Sequence, residues 1–506
     1  MALPVTFGAS TLLRFITNHS SWLLGAATLL LAGSLQAAPW ITPDDARLRH
    51  HIHVLADAAL IRVPVNTWPL MWSGVISEVK RVKNKSLTPA QRRAVVYIEQ
   101  AFDRETETNV SVGYAYAEQV NPIRGFGDSR RDEVQGYLAG EVIGERWAGK
   151  LQVNNIGDPL DGEYTHYDGS YLTGLWGNWA FTVGAIDRWW GPAWESGLIL
   201  SNSARPVPGI SFQRNNSEPF SWSWLRWIGP WQFTAFAGKL ESDRVIPDAK
   251  LVGARLSFRP LPWLELGASR TAQWGGKGRP QAFSSFKDLV LGNDNRGSSG
   301  VNLNNEPGNQ LAGFDWRISI DGKLPAAIYG EMIGEDEAGY QPSKRIVMLG
   351  IDTVIALPNS ELRLVFETAD TATRRFDKGE AEYNVAYEHS IYRSGYRFRN
   401  RPIGASIDND SRAHHVVLDW LMDSQQSLRL RLSQFDLNTD GRGIAFANGN
   451  SVSFGGSNDY SATLKYTYSA AGWRASVAYE HYNDGLQLRG LDTGDDTVAA
   501  TMEYTW

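Results

Sequence analysis

The end of the chain alternates strictly between two kinds of side chain, and this alternation limits the fold more than any other feature. From Asp496 to Trp506, every second residue falls on one face, which carries Val498, Ala500, Met502, Tyr504 and Trp506. Strict alternation is typical of a β-strand whose two faces meet different surroundings. As the exposed edge of a soluble sheet, such a strand would be prone to aggregation. Paired with the first strand of the same chain it closes a barrel, so the sequence predicts a transmembrane β-barrel.

The amino-acid composition further limits the class of protein. The 506 residues include no cysteine, which excludes disulfides, thiol nucleophiles and thiolate metal sites. The formal net charge of -6 gives no reason to expect a nucleic-acid partner. The chain has 20 Trp, 19 Tyr and 19 Phe but no long hydrophobic run beyond its start. This combination favours a lipid-facing barrel with aromatic girdles, a sugar-binding surface, or both.

Residues 1–37 have the pattern of a secretory signal peptide. An apolar run from Trp22 to Leu35 follows the weakly basic residues Arg14 and His19, and small residues follow within Gln36 to Ala38. A membrane-spanning anchor helix is the alternative, but the run is short and is followed by small residues. No later segment approaches roughly 18 uninterrupted apolar residues. We therefore expect an exported protein that resides in the bacterial outer membrane and crosses it with strands.

Residues 38–107 have helical periodicity. Leu48, Ile52 and Leu55 recur at spacings of three and four, and Thr88 followed by Pro89 marks the start of a later helix. We expect a small helical domain on the periplasmic side of the barrel. Three neighbouring histidines raise the question of a metal site, namely His50, His51 and His53. Because no carboxylate cluster lies at ligand spacing, we expect solvated helix positions, no metal and no cofactor.

From residue 108 to residue 506 the strands come in pairs, with short turns alternating with long polar loops. The short turns are Ala148-Gly149, Gly177-Asn178, Gly229-Pro230, Leu261-Pro262, 321–325, 358–360, 424–426 and Ala471-Gly472. The long loops are Asn121 to Glu133, Gly275 to Asn309, Arg374 to Arg412 and Thr439 to Asp459. Counting pairs predicts about eighteen antiparallel strands, an even number that leaves both barrel ends on one side. Because outer-membrane barrels have short periplasmic turns, we expect the long loops to face outward.

Individual strands separate apolar from charged side chains. In Leu311 to Ile320, Phe314 and Trp316 are expected to face lipid, whereas Asp315 is expected to face the lumen. An Arg on the lipid face near the midplane costs about 2–4 kcal/mol. Three strand arginines are therefore expected to point inward, namely Arg317, Arg363 and Arg474. Four tryptophans follow short turns, where a periplasmic aromatic girdle is expected: Trp179, Trp231, Trp263 and Trp473.

Three predicted strands run outward and end in residues suited to sugar recognition. Nine candidate polysaccharide-binding residues are expected to meet at the extracellular mouth: Arg188, Trp189, Trp190, Glu195, Trp274, Arg279, Glu335, Asp336 and Glu337. Flat aromatic faces stack on the C–H faces of sugar rings, and Arg pairs bidentately with carboxylates such as those of uronic acids. An outer aromatic girdle with loop-locking salt bridges is an equal alternative for any single Trp. The cluster as a whole favours a binding surface.

Several long motifs in these regions are shared with a known family. They are Arg188 to Pro192, 224–227 with 229–231, Leu264 to Arg270, Gln273 to Gly276 with 278–280, Pro307 to Asp315, and Tyr329 to Glu337. With these motifs the chain resembles the Wzi family of capsule-assembly outer-membrane proteins of Gram-negative bacteria. The similarity runs from about Leu60 to Gly339 and is loose over the C-terminal third. The resemblance implies a barrel with a periplasmic helical bundle, a surface lectin that holds exported capsular polysaccharide on the cell, and no catalytic residues.

A diffusion porin and an outer-membrane hydrolase are the competing functions. A porin would show the same alternation, but the motif-rich mouth and the long loop Gly275 to Asn309 argue against an open pore, since long loops can fold in and close it. A hydrolase needs a nucleophile and a base, and no barrel histidine lies in a recognisable Ser/His/acid pattern. Glu335 and Glu337 are candidates for a glycosidase pair, although acidic loop residues are more often solvated or paired with Arg. We therefore expect a protein that is not an enzyme, with polysaccharide, outer-membrane lipid and polysaccharide export machinery as partners.

Overall fold

The computed structural model of the chain describes the helical region and the barrel. The described residues are 40–128, 130–290, 308–322, 324–338, 341–375, 379–422, 425–441, 449–453, 455–470, 472–483, 485–488 and 496–506, with the backbone alone at 335–338 and 341–343. The predicted signal peptide, residues 1–37, lies outside them. Among the helices within these ranges, none combines the length and the apolar character that crossing a bilayer requires.

Three helices precede the barrel, and they are α1 (Ala46–Asp57), α2 (Trp72–Val82) and α3 (Pro89–Glu105). Asp45 caps α1, because its side chain accepts a hydrogen bond from the Leu48 N–H. Thr88 forms a capping box with Gln91 at the start of α3, where Pro89 occupies the first turn. The helix start predicted at this position is confirmed.

A closed barrel of eighteen antiparallel wall strands follows within the described residues. In chain order the strands are β1 (Asn109–Ala117), β2 (Val134–Ile143), β3 (Trp147–Gly157), β4 (Tyr171–Trp176), β5 (Trp179–Gly184), β6 (Gly209–Arg214), β7 (Trp231–Lys239), β8 (Lys250–Leu261), β9 (Leu264–Trp274), β10 (Gly308–Ile320), β11 (Ala326–Ala338), β12 (Gln341–Ala356), β13 (Glu361–Arg375), β14 (Arg412–Leu421), β15 (Gln426–Leu437), β16 (Ser457–Ala470), β17 (Trp473–Tyr482) and β18 (Asp496–Thr505). The last strand pairs with the first, from Thr505 opposite Ser111 to Ala499 opposite Ala117. This pairing closes the wall, and the predicted fold and strand number are confirmed.

Side chains on the wall sort to two faces, as the alternation predicts. On β10, Phe314 is exposed on the outside, whereas Asp315 and Arg317 are buried inside. Arg363 of β13 is buried inside in the same way, and Arg474 of β17 points inward to the helical region. Because every second side chain of a strand shares a face, the outside of the wall is apolar and the inside is charged.

Two predicted short turns are wrong. Ala148-Gly149 lies within β3, and the turn before that strand is formed by residues 144–146. The expected short turn at Gly229-Pro230 is wrong, because β6 and β7 are joined by residues 215–230, which include a 3-10 helix at Ser223–Ile228. The described part of the loop Gly275 to Asn309 does not fold into the lumen. This part contains α4 (Phe283–Val290), and the outward-facing Arg270 of β9 donates to the carbonyls of Leu289 and Val290. The helix therefore packs on the outside of the wall.

Protein fills the lumen from both ends. The helix α1 and residues 60–71 enter from the short-turn end, and residues 185–208 and 385–411 enter from the long-loop end. The helical region and the luminal segment pair at Thr67–Trp68 with Trp189–Trp190. Two more two-residue pairs form within these regions, Trp40–Ile41 with Leu70–Met71 and Arg397–Phe398 with Arg401–Pro402. Two short strands complete the rim of the wall, Thr165–His166 on β3 and Ala381–Glu382 on β13. Apolar side chains of both luminal segments and of the helices belong to one continuous core.

Candidate functional site

The segment 185–208, here called the luminal loop, contains four of the nine predicted site residues: Arg188, Trp189, Trp190 and Glu195. Trp189 and Trp190 are each 0% exposed. The ring of Trp189 lies 5.6 Å from that of Phe126, and its Nε1 donates to the carbonyl of Ala193 at 3.0 Å. The ring of Trp190 packs 5.6 Å from that of Phe236. Both indoles thus contact protein on every side, and their predicted contact with polysaccharide stays a prediction.

Arg188 is also enclosed by protein. Its guanidinium lies 4.6 Å from the centre of the Phe236 ring, and its Nη1 donates to the carbonyl of Ile186 at 3.1 Å. Burial lowers the pKa of Arg188 to about 10, although the neighbouring Asp187 opposes this shift. The side chain therefore remains a cation at neutral pH, held against an aromatic face.

Glu195 belongs to an ion cluster between the luminal loop and the wall. Its carboxylate lies 3.2 Å from Arg431, which also pairs with Asp128 at 3.2 Å. Burial raises the pKa of Glu195 to about 7, although Arg431 and Arg429 oppose the shift. Burial acts on Asp128 in the same direction, but there Arg431, Lys465 and Arg429 outweigh it and lower the pKa. The pKa values of two carboxylates in one cluster are therefore shifted in opposite directions.

Two inward-facing glutamates of the wall hold the backbone of the luminal loop. Glu367 of β13 accepts hydrogen bonds from the N–H groups of residues 194, 195 and 196, at 2.8, 3.0 and 2.6 Å. Glu331 of β11 accepts from the N–H groups of Leu198 and Ile199 at 2.9 and 3.2 Å. A buried carboxylate needs several donors, and a buried N–H needs an acceptor, so each group satisfies the other. These contacts fix the loop through its main chain.

The helical region is held at the short-turn end through side chains and through its backbone, where Arg259 of β8 donates to the carbonyls of Ala56 and Ile61. Arg317 of β10 pairs with Asp57 of α1 at 2.7 Å and with the wall residue Asp352 at 2.8 Å. Arg363 of β13 pairs with Asp352 at 2.6 Å and also donates to His50 of α1. A wall glutamate, Glu265 of β9, adds one backbone contact by accepting from the N–H groups of residues 65 and 66. We call this set of contacts the plug seam.

The expectation that the three α1 histidines occupy solvated positions is wrong. His50, His51 and His53 are all buried, because α1 enters the barrel with that face against the wall. Among the described residues, His50, His51 and Glu361 come close enough to share a cation. The hydrogen bonds oppose this, since Arg363 donates to Nδ1 of His50 at 2.9 Å and Nε2 lies 2.7 Å from Glu361. This pattern assigns the proton to Nε2, so metal ligation there would break both contacts.

Trp274 lies in a different place, on the outside of the wall at the long-loop end. Its ring is 5.2 Å from that of Phe286, and the Nζ of Lys250 lies 5.5 Å from the ring centre. Phe283, one turn earlier in α4, is 80% exposed. Lys277 is exposed in the adjoining turn. These five residues form what we call the rim patch, in which aromatic faces and cations are open to the outside.

The four remaining predicted site residues belong neither to the luminal loop nor to the rim patch. Arg279 is half-buried in the turn after β9, and its N–H donates to the carbonyl of Gly276 at 3.2 Å. Residues 335–337 were expected just beyond a strand end, but they lie within β11, where Glu335 is opposite Lys344 and Glu337 is opposite Pro342. The nine residues therefore fall into four separate places, namely the luminal loop, the rim patch, the turn after β9 and strand β11, and their shared role stays a prediction.

Sequence reasoning missed two sets of residues. Strand alternation places Glu367 and Glu331 inside the barrel, but it carries no information about which segment meets them. Phe283 and Phe286 have the three-residue spacing of one helix face, a signal for α4 inside the long loop. That spacing was the available clue to the rim patch.

Comparisons with known proteins agree with this architecture. A family model described as capsule assembly protein Wzi matches residues 106–495. A Klebsiella pneumoniae protein, described as an uncharacterized 55.8 kDa protein in the cps region, is 35% identical over 357 residues, which is 69% of each chain. The solved structure of Wzi from Escherichia coli, described as an outer membrane protein involved in group 1 capsule assembly and a carbohydrate binding β-barrel, is 27% identical. It superposes with a TM-score of 0.79 over 91% of this chain and 98% of that one. The chain belongs to the Wzi family of capsule assembly proteins and is an outer-membrane β-barrel.

Proposed function

We propose that this protein binds exported polysaccharide at its outer face and holds or organises the capsule on the cell surface. The observation that carries the proposal is the closed lumen, in which the helical region and the luminal loop pair at Thr67–Trp68 and Trp189–Trp190. A barrel filled in this way offers a surface rather than a passage. The similar Escherichia coli protein is described as carbohydrate binding, which supports the same conclusion.

The rim patch is the part of the outer face whose chemistry suits a polysaccharide best. The rings of Trp274 and Phe283 offer flat faces to the C–H groups of sugar rings. Lys250, beside the ring of Trp274, offers a cation to sugar carboxylates, and Lys277 is a second cation, which pairs with Asp248 at 3.3 Å. Trp189 and Trp190 then act by shaping the closed mouth, since both are fully buried.

Catalysis is not part of the proposed function. In the described part of the chain, His415 and Ser433 lie 2.8 Å apart, which is the spacing of a base and a nucleophile. Both are buried, however, and Nε2 of His415 has no acid beside it in that part. Another close pair, His481 and Asp496 at 2.6 Å, is exposed on the wall. Outer-membrane lipid and the polysaccharide export machinery remain proposed partners.

A deletion strain tests the proposal in the cell. Cells lacking the protein should still synthesise and export the polymer but release it into the medium. Capsule that stays attached in this strain would reject the anchoring function. Incubating the purified protein with capsular polymer separates binding from hydrolysis, because an enzyme would shorten the chains.

The substitution Trp274→Ala tests the rim patch directly. We expect roughly three- to tenfold weaker binding of capsular polymer, measured by calorimetry on the purified barrel, because one stacking face is lost. The matched control is Trp420→Ala, which removes an exposed outward Trp near the short-turn end of β14. Equal affinities for both variants and the unmodified protein would move the binding site away from the rim patch.

A further inference from the structure

Three neighbouring strands of the wall are too short to cross a membrane unaided. The strands β4, β5 and β6 each contain six residues, whereas a transmembrane strand needs about 9–11. Six residues extend about 20 Å and, at a tilt of roughly 40°, span about 15 Å of an apolar band about 25 Å tall. This sector of the wall therefore needs another element to meet the membrane.

For β6 the missing height lies at the short-turn end, next to β7, whereas β4 pairs with the short-turn start of β3, from Trp147 opposite Gly174. The ladder between β6 and β7 extends only from Gly209 to Gln213, which pairs with Thr234. The ladder between β7 and β8 continues further, to Trp231 opposite Phe258. The first three residues of β7 thus have no β6 partner, which leaves a notch in the short-turn rim of the wall.

The connection 215–230 covers this notch from the outside. Phe220 stacks on the outward-facing ring of Trp231 at 4.5 Å and an interplanar angle of 11°. Arg214, also facing outward, lies 3.9 Å from the centre of the Trp231 ring and donates to the carbonyls of Trp231 and Glu218. The one cation at this edge of the apolar wall is therefore satisfied by carbonyls of the connection, and the segment is fixed against the wall.

The 3-10 helix of the connection presents an aromatic surface to its surroundings. Trp222, Trp224 and Trp227 are 61%, 69% and 65% exposed, and the first two stack at 6.1 Å. Between residues 221 and 230 the single charged side chain is the exposed Arg226. Tryptophan prefers the boundary between the headgroups and the acyl chains of a bilayer. A cationic side chain on such a helix reaches the phosphates from the same depth.

This surface continues the lipid-facing wall without a break in aromatic character. On the outside of β5, β6 and β7, the rings of Trp179, Phe212 and Phe233 contact one another at 5.7 to 6.3 Å. Trp231 lies two residues before Phe233, on the same face of β7, and its ring stacks with that of Phe220. The aromatic face thus runs from the wall onto the connection.

We propose that residues 215–230 form an interfacial membrane anchor, in which Trp222, Trp224 and Trp227 insert into the phospholipid leaflet at the short-turn end. The anchor compensates for the short strand β6 by extending the apolar surface below it, at the notch beside β7. The occupant of this surface is the boundary region of a phospholipid bilayer. The proposal does not depend on whether the protein binds polysaccharide.

Site-specific labelling tests the proposal, and the absence of cysteine makes each introduced cysteine unique. The variants are Trp224→Cys, Trp227→Cys and Ser223→Cys, the last of which keeps all three tryptophans. Each full-length variant carries a fluorescent label and is reconstituted in phosphatidylethanolamine–phosphatidylglycerol vesicles. Heat-modifiable migration in gels confirms that each barrel is folded. Val477→Cys on the outward face of β17 and the exposed Lys83→Cys at the end of α2 are the lipid-facing and aqueous controls.

We expect shallow spin-labelled lipids to quench labels at 224 and 227 at least about threefold more strongly than the label at 83, with protection from aqueous iodide. The label at 223 should respond in the same direction. Quenching by iodide alone, at the level seen for 83, would overturn the proposal. Energy transfer between labelled copies that rises with the protein-to-lipid ratio would also overturn it, because that result assigns the surface to a second copy.

Discussion

The helical region and the luminal loop close the same lumen, and the wall holds each of them by different contacts. At the plug seam, the wall arginines Arg317 and Arg363 meet side chains of the helical region, as in the pair between Arg317 and Asp57 at 2.7 Å. In the luminal loop, the wall glutamates Glu367 and Glu331 meet backbone N–H groups. An ion pair requires a particular residue on both sides, whereas a backbone contact requires it on one side only. At these contacts, the wall therefore constrains the loop sequence less than the helix sequence.

Among the variants that test this comparison, Glu367→Ala is expected to have the largest effect on the stability of the protein. It leaves three buried N–H groups and the hydroxyl of Tyr329 without their acceptor. We expect a loss of roughly 3–5 kcal/mol in stability, cleavage of the luminal loop by added protease, and conductance steps in planar bilayers. Glu367→Gln, which keeps one acceptor oxygen, should lose less. A protease-resistant loop in the Ala variant would show that backbone capture does not hold it.

Asp57→Asn tests the plug seam in the same way. It weakens two contacts to Arg317 and one to Ser319 while the charge of Arg317 remains partly balanced by Asp352. We expect a loss of about 2–4 kcal/mol in thermal unfolding and faster proteolysis of the helical region, with the luminal loop unchanged. Ser319→Ala, which removes only a hydroxyl, should cost about 1 kcal/mol. Cleavage of the luminal loop together with the helical region would mean that the two parts unfold as one unit.

The pH dependence of stability tests Glu195, the residue of the luminal loop that pairs with Arg431 of the wall. Burial raises its pKa to about 7 from an unfolded value near 4.5, so the folded chain holds this proton more tightly. Its contribution to stability is complete below about pH 4.5 and is lost as the pH rises through about 7. We expect Glu195→Gln to remove a decline on the order of 2 kcal/mol between these values, measured as the unfolding midpoint at each pH. A parallel decline in both proteins would assign it to other groups.

Lys83→Met should have the smallest effect. Lys83 pairs with Glu99 at 3.0 Å across the outer surface of the helical region, and its side chain is 57% exposed. Exposed pairs of this kind contribute little, so we expect a change below about 0.5 kcal/mol in thermal unfolding. A larger loss would show that the helical region depends on surface pairs as well as on the plug seam.

The wall was predictable from the sequence because a strand in a membrane obeys one local rule. The alternation from Asp496 to Trp506 and around Arg317 follows from hydrocarbon on one face and protein or water on the other, and each residue reports its own face. Strand number followed from the alternation of turns and loops. The helix start at Thr88 was local in the same sense, because its cap and its proline are neighbours in the chain.

The arrangement inside the lumen was not predictable in this way. Trp189 and Trp190 follow an outward-running strand, so a local argument places them at the open mouth. Their burial depends on pairing with Thr67–Trp68, more than a hundred residues earlier, and on backbone contacts that leave no mark in the loop sequence. The same holds for His50, whose burial depends on its contacts with Arg363 and Glu361.

The joint between β1 and β18 constrains how the molecule is assembled. Residues 60–71, which precede β1, occupy the interior, where Thr67–Trp68 pairs with Trp189–Trp190 of the luminal loop. Once the joint is sealed, the helical region has no lateral entrance. It must therefore be in position while the sheet is still open, or enter afterwards through the short-turn end of the barrel.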